Sequence, residues 1–121
     1  MARILVIDDE PLVRVSIEAV LGAKGHQVSL AANGREGLDK LKDGEFDLII
    51  TDLIMPEMEG IETILAIRKQ CAGLRVIAIS GGGRHTSADF LDMAAKLGAN
   101  AILRKPFTND ELLAAIGSVL T

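Results

Sequence analysis

The chain has 121 residues, of which 49% are hydrophobic and 25% charged, and its formal net charge is −4. This length suits one domain with its own core, and the balance of apolar and charged residues excludes a disordered chain. Three Phe, no Trp, no Tyr and an excess of acidic residues exclude a nucleic-acid-binding surface built on basic patches or aromatic stacking.

The same features predict a cytoplasmic protein that does not contact a membrane. Its acidic balance disfavours an anionic lipid surface, and no apolar run approaches the length of a membrane span or of a signal-peptide core. The one cysteine, Cys71, cannot form an internal disulfide, which suits a reducing compartment. We expect Cys71 to be a buried or half-buried small hydrophobe rather than a nucleophile.

Five short apolar runs recur along the chain without the polar alternation of half-exposed strands. Runs of this length that are rich in Ile, Val and Leu are typical of parallel strands buried on both faces. They comprise residues 4–7, 28–31, 48–50, 76–79 and 101–103.

Helical segments with recognisable ends lie between these runs. Pro11 occupies a favourable first helical position. Asn33 with Glu36, and Thr108 with Glu111, have the spacing of capping boxes. Glycines placed to end helices are Gly25, Gly44, Gly73 and Gly98.

The last helical segment carries an apolar stripe that should pack on the sheet. Its members are Leu112, Leu113, Ile116, Val119 and Leu120. The whole pattern predicts an α/β fold, a doubly wound (βα)5 unit with a five-stranded parallel sheet and helices on both faces, as one domain over residues 1–121. The sequence stops directly after this segment, so the chain either acts alone or lacks an output domain.

Chemically useful side chains follow four of the five runs. An open parallel sheet binds ligands beyond the carboxyl ends of its strands, so these side chains should converge on one edge. Taken singly, each has a simpler explanation as a helix cap, a turn residue or a solvated surface charge. Their coincidence at one edge favours a site. They are Asp8 and Asp9 after the first run, Thr51 and Asp52 after the third, Ser80 after the fourth and Lys105 after the fifth.

Three neighbouring carboxylates repel one another unless a cation is present, and oxygen ligands suit a hard divalent ion, above all Mg²⁺. Lys105 adds a point charge suited to a phosphoryl or carboxylate oxygen. An ionised aspartate is already a nucleophile, so the cluster could support in-line phosphoryl transfer without a general base.

The order and spacing of five motifs resemble the receiver domain family of two-component response regulators, which is CheY-like and has a flavodoxin-like fold. The resemblance covers the whole chain. The motifs are residues 4–10, residues 47–52, Met55-Pro56 with Gly60, Ser80, and Lys105-Pro106-Phe107.

The resemblance implies that Asp52 accepts a phosphoryl group from a sensor histidine kinase or a histidine phosphotransfer protein. Asp9 would bind Mg²⁺, or another divalent cation such as Mn²⁺, directly, and Asp8 would act mainly through a bound water. Asp52 and the backbone carbonyl of Ile54 would complete the protein ligands. Such a domain catalyses only its own phosphorylation and dephosphorylation.

The resemblance also assigns the switching parts. Lys105 would bind the phosphoryl oxygens, and the Lys105–Pro106 bond would be cis. Ser80 would be the switch hydroxyl, the group that moves to contact the phosphoryl group. The signal would leave through the fourth helix, the fifth strand and the fifth helix, toward an effector protein or a C-terminal output domain.

The sequence departs from the family at three positions. Ile102 stands where receivers often carry a switching aromatic ring, so either another side chain or the loop itself reports the signal. Because Gly81 to Gly83 favour the loop, we hypothesise that phosphorylation pulls Ser80 inward and orders the loop 81–87. Ile54 and Gly82 flank the pocket by analogy, and neither offers a side chain to orient an attacking water. The sequence therefore predicts a long-lived aspartyl phosphate.

Three alternatives have to be weighed. A haloacid-dehalogenase-type phosphatase needs a second Asp two residues after the nucleophile. Ile54 occupies that position, which argues against this alternative. A flavodoxin-like nucleotide or flavin binder could use the glycines after Ser80, but the carboxylates would repel an anionic ligand. An interaction domain that is never phosphorylated requires a phosphorylation test to exclude it.

Overall fold

The computed structural model describes residues 2–52, 60–71, 73–80 and 98–120. Within these ranges, five strands and four helices follow one another along the chain. The predicted fourth helix, Ile54 and the loop 81–87 lie outside the described residues. The elements are β1 (Arg3–Ile7), α1 (Pro11–Ala23), β2 (Gln27–Ala31), α2 (Gly34–Asp43), β3 (Leu48–Asp52), α3 (Gly60–Gln70), β4 (Arg75–Ser80), β5 (Ala101–Arg104) and the C-terminal helix (Asn109–Leu120).

The strands form one sheet in the order β2-β1-β3-β4-β5, and every neighbouring pair is parallel. This confirms the α/β architecture predicted from the apolar runs. β1 lies between β2 and β3, so the direction of strand succession reverses beside it. In open parallel sheets a ligand crevice forms outside the carboxyl ends of the strands at such a reversal. A ligand site is therefore expected at the carboxyl ends of β1 and β3.

Two apolar cores cover the two faces of the sheet, which explains why the strands read as unbroken apolar runs. In β1, Ile4 and Val6 contribute to the core beneath α1 and the C-terminal helix. Leu5 and Ile7 contribute to the core beneath α2 and α3. All four side chains are fully buried, because a residue on either face of a central strand meets a helix layer.

The predicted starts of three helices are confirmed, with one variation. Thr108 Oγ1 accepts the Glu111 N–H at 3.0 Å and Glu111 Oε1 accepts the Thr108 N–H at 2.9 Å, a complete capping box. Asn33 Oδ1 accepts a hydrogen bond from the Glu36 N–H at 2.8 Å. The Glu36 carboxylate accepts the N–H of Ala32 instead of the N–H of Asn33 that a capping box would use. α1 begins at Pro11 as predicted.

The expectation for Cys71 is wrong, because this residue is exposed. It follows the last residue of α3, where its N–H donates to the carbonyl of Ile67, the last buried position of that helix. Cys71 lies one helical turn after Ile67, at a point where the chain has left the apolar core. Among the described residues, no helix has both the length and the apolar character of a membrane span.

The contact between α2 and β1 leaves no room for a side chain at Gly37. A Cβ there would lie 2.3 Å from Ile7 Cδ1 and 2.8 Å from Ile7 Cγ1, and Ile7 is fully buried. We expect Gly37→Ala to lower the free energy of unfolding by about 1–3 kcal/mol, through overpacking. Urea denaturation measures this change.

Gly117→Ala is the matched control, because Gly117 lies inside the C-terminal helix, where an added Cβ would meet no neighbouring group of the described residues within 4 Å. It should raise the free energy of unfolding by about 0.5–1 kcal/mol, since alanine loses less backbone entropy in a helix. Equal effects of the two substitutions would contradict the tight packing of Gly37 on Ile7.

Candidate functional site

Asp8 and Asp52 lie side by side at the carboxyl edge of the sheet. Ile7 of β1 pairs with Thr51 of β3, so the next residue of each strand is one of the two aspartates. Asp8 is 0% and Asp52 is 3% exposed. Carboxylates are rarely buried this deeply unless they are paired or bind a metal.

The backbone around Asp8 is fixed from several directions. Its N–H donates to the carbonyl of Ala31, which extends the ladder between β1 and β2. Its carbonyl accepts a hydrogen bond from Arg14 Nη1 at 2.6 Å, and its Oδ1 accepts the Glu10 N–H at 2.9 Å. These contacts leave Oδ2 as the atom of Asp8 that faces the other carboxylates and Lys105.

Asp9 and Glu10 continue the acidic run into the turn before α1. Asp9 is half-buried and Glu10 is exposed. Together with Asp8 and Asp52, each offers a carboxylate oxygen, and the four oxygens lie within 4.8 Å of one another. The structure thus brings together the three aspartates predicted from the sequence and adds Glu10.

Lys105 reaches this cluster from the segment that follows β5. Since β4 separates β5 from β3, the side chain has to extend across the end of β4 to reach Asp52, which favours a long residue. Its Nζ lies 3.2 Å from Asp8 Oδ2, 3.1 Å from Asp52 Oδ2 and 3.0 Å from Glu10 Oε1. The Lys105–Pro106 peptide bond is cis, as the resemblance implies.

Burial and neighbouring charges have opposing effects on the pKa values of Asp8 and Lys105. Burial raises the pKa of Asp8 above its ordinary value, helped by Asp52 and opposed by the Glu10 N–H and by Lys105. Burial alone would lower the pKa of Lys105, but Asp52, Glu10 and Asp8 together raise it. The ammonium is therefore charged at neutral pH.

The donor set fits a hard divalent cation. All four candidate ligands are carboxylate oxygens, which suit Mg²⁺ or Mn²⁺ rather than softer metals. Among the described residues, the buried Asp8 Oδ2 accepts no hydrogen bond, although it lies close to the Lys105 ammonium. Lys105, with Arg14 beside the backbone of Asp8, contributes fewer positive charges than the four carboxylates contribute negative ones. Asp8, Asp9 and Asp52 are thus suitable residues to hold the ion.

Three other predicted residues differ in how much of each the structure describes. Ser80 ends β4 opposite Arg104 of β5, but its side chain lies outside the described residues, as does all of Ile54. Ile102 is half-buried and packs on the core beneath α2 and α3. Ser80 therefore reaches the correct edge of the sheet, while its contact with the acidic cluster stays a prediction.

Sequence reasoning missed the contacts of Glu10 and Arg14. Glu10 binds Lys105, and Arg14 binds the carbonyl of Asp8. The sequence did contain a signal that Glu10 belongs to the site, because it directly follows the two predicted ligands Asp8 and Asp9. Nothing local distinguishes Arg14 from a solvated helix residue, since its partner is a backbone atom outside the helix.

Comparison with known proteins agrees with this geometry. Residues 4–117 match the response regulator receiver domain. The chain belongs to this family. A receiver domain is the phosphoacceptor switch of two-component response regulators, and this assignment decides against the phosphatase and the nucleotide- or flavin-binding alternatives.

Relatives of this receiver domain include short and long proteins. The chemotaxis protein CheY of Bacillus subtilis is 35% identical over 119 residues, which cover 98% of this chain and 97% of that protein. The transcriptional regulatory protein DltR of Streptococcus agalactiae is 35% identical over 114 residues, which cover 94% of this chain. The receiver domain spans about half the length of this regulator.

Solved structures share the fold over nearly the whole receiver domain. The chemotaxis protein CheY4 of Vibrio cholerae superimposes with a TM-score of 0.92 at 34% identity, covering 99% of both chains. A receiver domain protein of Clostridium thermocellum gives a TM-score of 0.91 at 34% identity, covering 99% of this chain and 94% of that one.

The contacts of Lys105 predict a stability effect that a metal can reverse. Lys105→Met should lower the free energy of unfolding by about 2 kcal/mol in metal-free solution at neutral pH, because it removes the hydrogen bond to Asp52 and the positive charge beside the buried carboxylate of Asp8. Since folding raises the pKa of Lys105, its contribution is fully present below the unfolded value of about 10.4 and is lost only in more alkaline solution.

Urea denaturation with and without MgCl2 measures both parts of this prediction. Mg²⁺ should stabilise Lys105→Met more than the wild-type receiver domain, because the ion then meets carboxylates that lack their lysine. Lys69→Met removes an exposed lysine of α3 and should change stability by less than about 0.5 kcal/mol. An equal response of wild type and Lys105→Met to Mg²⁺ would contradict this account.

Proposed function

We propose that Asp52 is the phosphoacceptor, and that it receives a phosphoryl group from a phosphohistidine of a sensor histidine kinase or a histidine phosphotransfer protein. The observation that carries this proposal is the juxtaposition of the buried Asp52 with Lys105 and with three further carboxylates. The family match supports the same chemistry. Residues 1–121 form one receiver domain in this proposal.

In the transfer step, a carboxylate oxygen of Asp52 forms a bond to phosphorus. The bond between phosphorus and the donor imidazole nitrogen breaks, and the donor, protonated on its other ring nitrogen, leaves with that electron pair as neutral imidazole. No proton has to be removed from Asp52, because the nucleophile is an ionised carboxylate. The reaction therefore depends on positioning and on charge neutralisation more than on acid–base catalysis.

Two sets of residues supply that neutralisation. Asp8, Asp9 and Asp52, with the carbonyl of Ile54, hold Mg²⁺ or Mn²⁺, which when bound offsets the charge of the phosphoryl oxygens. Lys105 already lies 3.1 Å from Asp52 Oδ2, close enough to pass its hydrogen bond to a phosphoryl oxygen on Asp52. The chain catalyses no reaction beyond its own phosphorylation and dephosphorylation.

Ser80 is the proposed switch hydroxyl, and its position at the end of β4 is compatible with this role. The signal passes through the segment between β4 and β5, through β5 and through the C-terminal helix. Its receiver is an effector protein or an output domain. The length of DltR, twice that of the matched region, supports an output domain in that relative.

Acetyl phosphate with Mg²⁺ tests the acceptor directly. Intact-mass spectrometry should show one added phosphoryl group on the wild-type protein, none without the metal and none on Asp52→Asn. Asp39→Asn removes an exposed carboxylate from α2 and should be phosphorylated normally. If neither acetyl phosphate nor a phosphohistidine donor adds mass to wild type, the chain is an unphosphorylated interaction domain.

The residues that flank the acceptor in the sequence predict a long phosphoryl lifetime. Ile54 and Gly82 carry no side chain that could orient a water molecule for attack on the aspartyl phosphate. Ile54→Asn should shorten the half-life of phosphorylated Asp52, measured by the decay of the phosphorylated mass after donor removal. Gly82→Glu provides an independent second position, and unchanged decay in both variants would rule out this explanation.

A further inference from the structure

The Lys105 ammonium is shared unequally among three carboxylates. It donates hydrogen bonds to Glu10 Oε1 at 3.0 Å and to Asp52 Oδ2 at 3.1 Å. Asp8 Oδ2 lies at 3.2 Å but accepts no hydrogen bond among the described residues. Lys105 thus gives its two hydrogen bonds to Glu10 and Asp52, and it contacts Asp8, the most deeply buried of the three carboxylates, as an ion pair.

Glu10 lies at the rim of this arrangement. Its side chain is 59% exposed, whereas that of Asp8 is fully buried and that of Lys105 is 16% exposed. Glu10 is the N-cap residue of α1, yet its side chain makes no capping hydrogen bond to the helix. Its carboxylate is therefore available to Lys105, where an Asp or Ser would commonly bond to the first helical turn.

We propose that Glu10 is a positioning residue that draws the Lys105 ammonium toward the rim and so keeps Asp8 Oδ2 available to a divalent cation. A lysine and a metal ion compete for the same carboxylate oxygens, because both bind by opposite charge. A rim carboxylate that takes one lysine N–H reduces this competition without removing the lysine. This inference rests on the proposed metal site and concerns how readily that site fills.

The proposal predicts weaker Mg²⁺ binding when Glu10 loses its charge. In Glu10→Gln, the neutral amide holds the ammonium less strongly, so Lys105 spends more time on Asp8 and Asp52. We expect the Kd for Mg²⁺ to rise about threefold, the range of partly exposed ion pairs. Isothermal titration calorimetry with MgCl2 at constant ionic strength, without any phosphodonor, measures this constant.

A double-mutant cycle separates this role from the two obvious alternatives, direct ligation by Glu10 and a simple effect of its charge. If Glu10 acts through Lys105, Glu10→Gln leaves the Kd unchanged once Lys105→Met is present. A threefold loss that persists in the Lys105→Met background overturns the proposal. Lys105→Gln takes the same place in the cycle if circular dichroism shows that Lys105→Met is unfolded.

Two further results complete the test. Glu18→Gln removes an exposed charge from α1 away from the cluster and should leave the Kd at the wild-type value. Equal Mg²⁺ affinity of wild type and Glu10→Gln overturns the role of Glu10 while the proposed metal site stands. Absence of Mg²⁺ binding by the wild-type protein overturns the metal site itself, and the role of Glu10 with it.

Discussion

The pairing of the Lys105 ammonium with the carboxylates of Asp8 and Asp52 holds together the ends of three strands that are distant in sequence. Two buried carboxylates side by side lose hydration and repel each other, so the carboxyl edge of the sheet is the least favourable place in the fold for charge. Lys105 offsets part of this cost from beyond β5. The remaining negative charge is what makes this edge of the sheet suitable for a cation.

The sheet makes this compensation possible because its central strands cannot move independently. β1 is covered by a helix layer on each face, and β3 is fully buried along its length. The packing of these strands therefore fixes the backbone positions from which Asp8 and Asp52 extend. Glu10 lies at the exposed side of the cluster and Lys105 carries a long side chain, so these two members have more freedom to change partners than the two buried aspartates.

A switch benefits from this division between fixed and adjustable charges. A rigid pair of aspartates defines where a cation and a phosphoryl group fit, while a long lysine can exchange one oxygen partner for another. Lys105 directly follows β5 and contacts Asp8 and Asp52 at the ends of β1 and β3, so the proposed switch has a short covalent connection between the charge of the site and β5.

Much of this protein could be predicted from its sequence, because the signals are local. Unbroken apolar runs identified the five strands, and the spacing of Thr108 and Glu111 identified a helix start, since both depend on residues close in the chain. The rule for parallel sheets then placed Asp8, Asp52 and Lys105 at one edge. Only the tertiary structure decided that Lys105 bonds to Glu10, that Arg14 binds the Asp8 carbonyl and that Cys71 is exposed. Those outcomes depend on distances between elements set by strand order and helix packing, which no local pattern encodes.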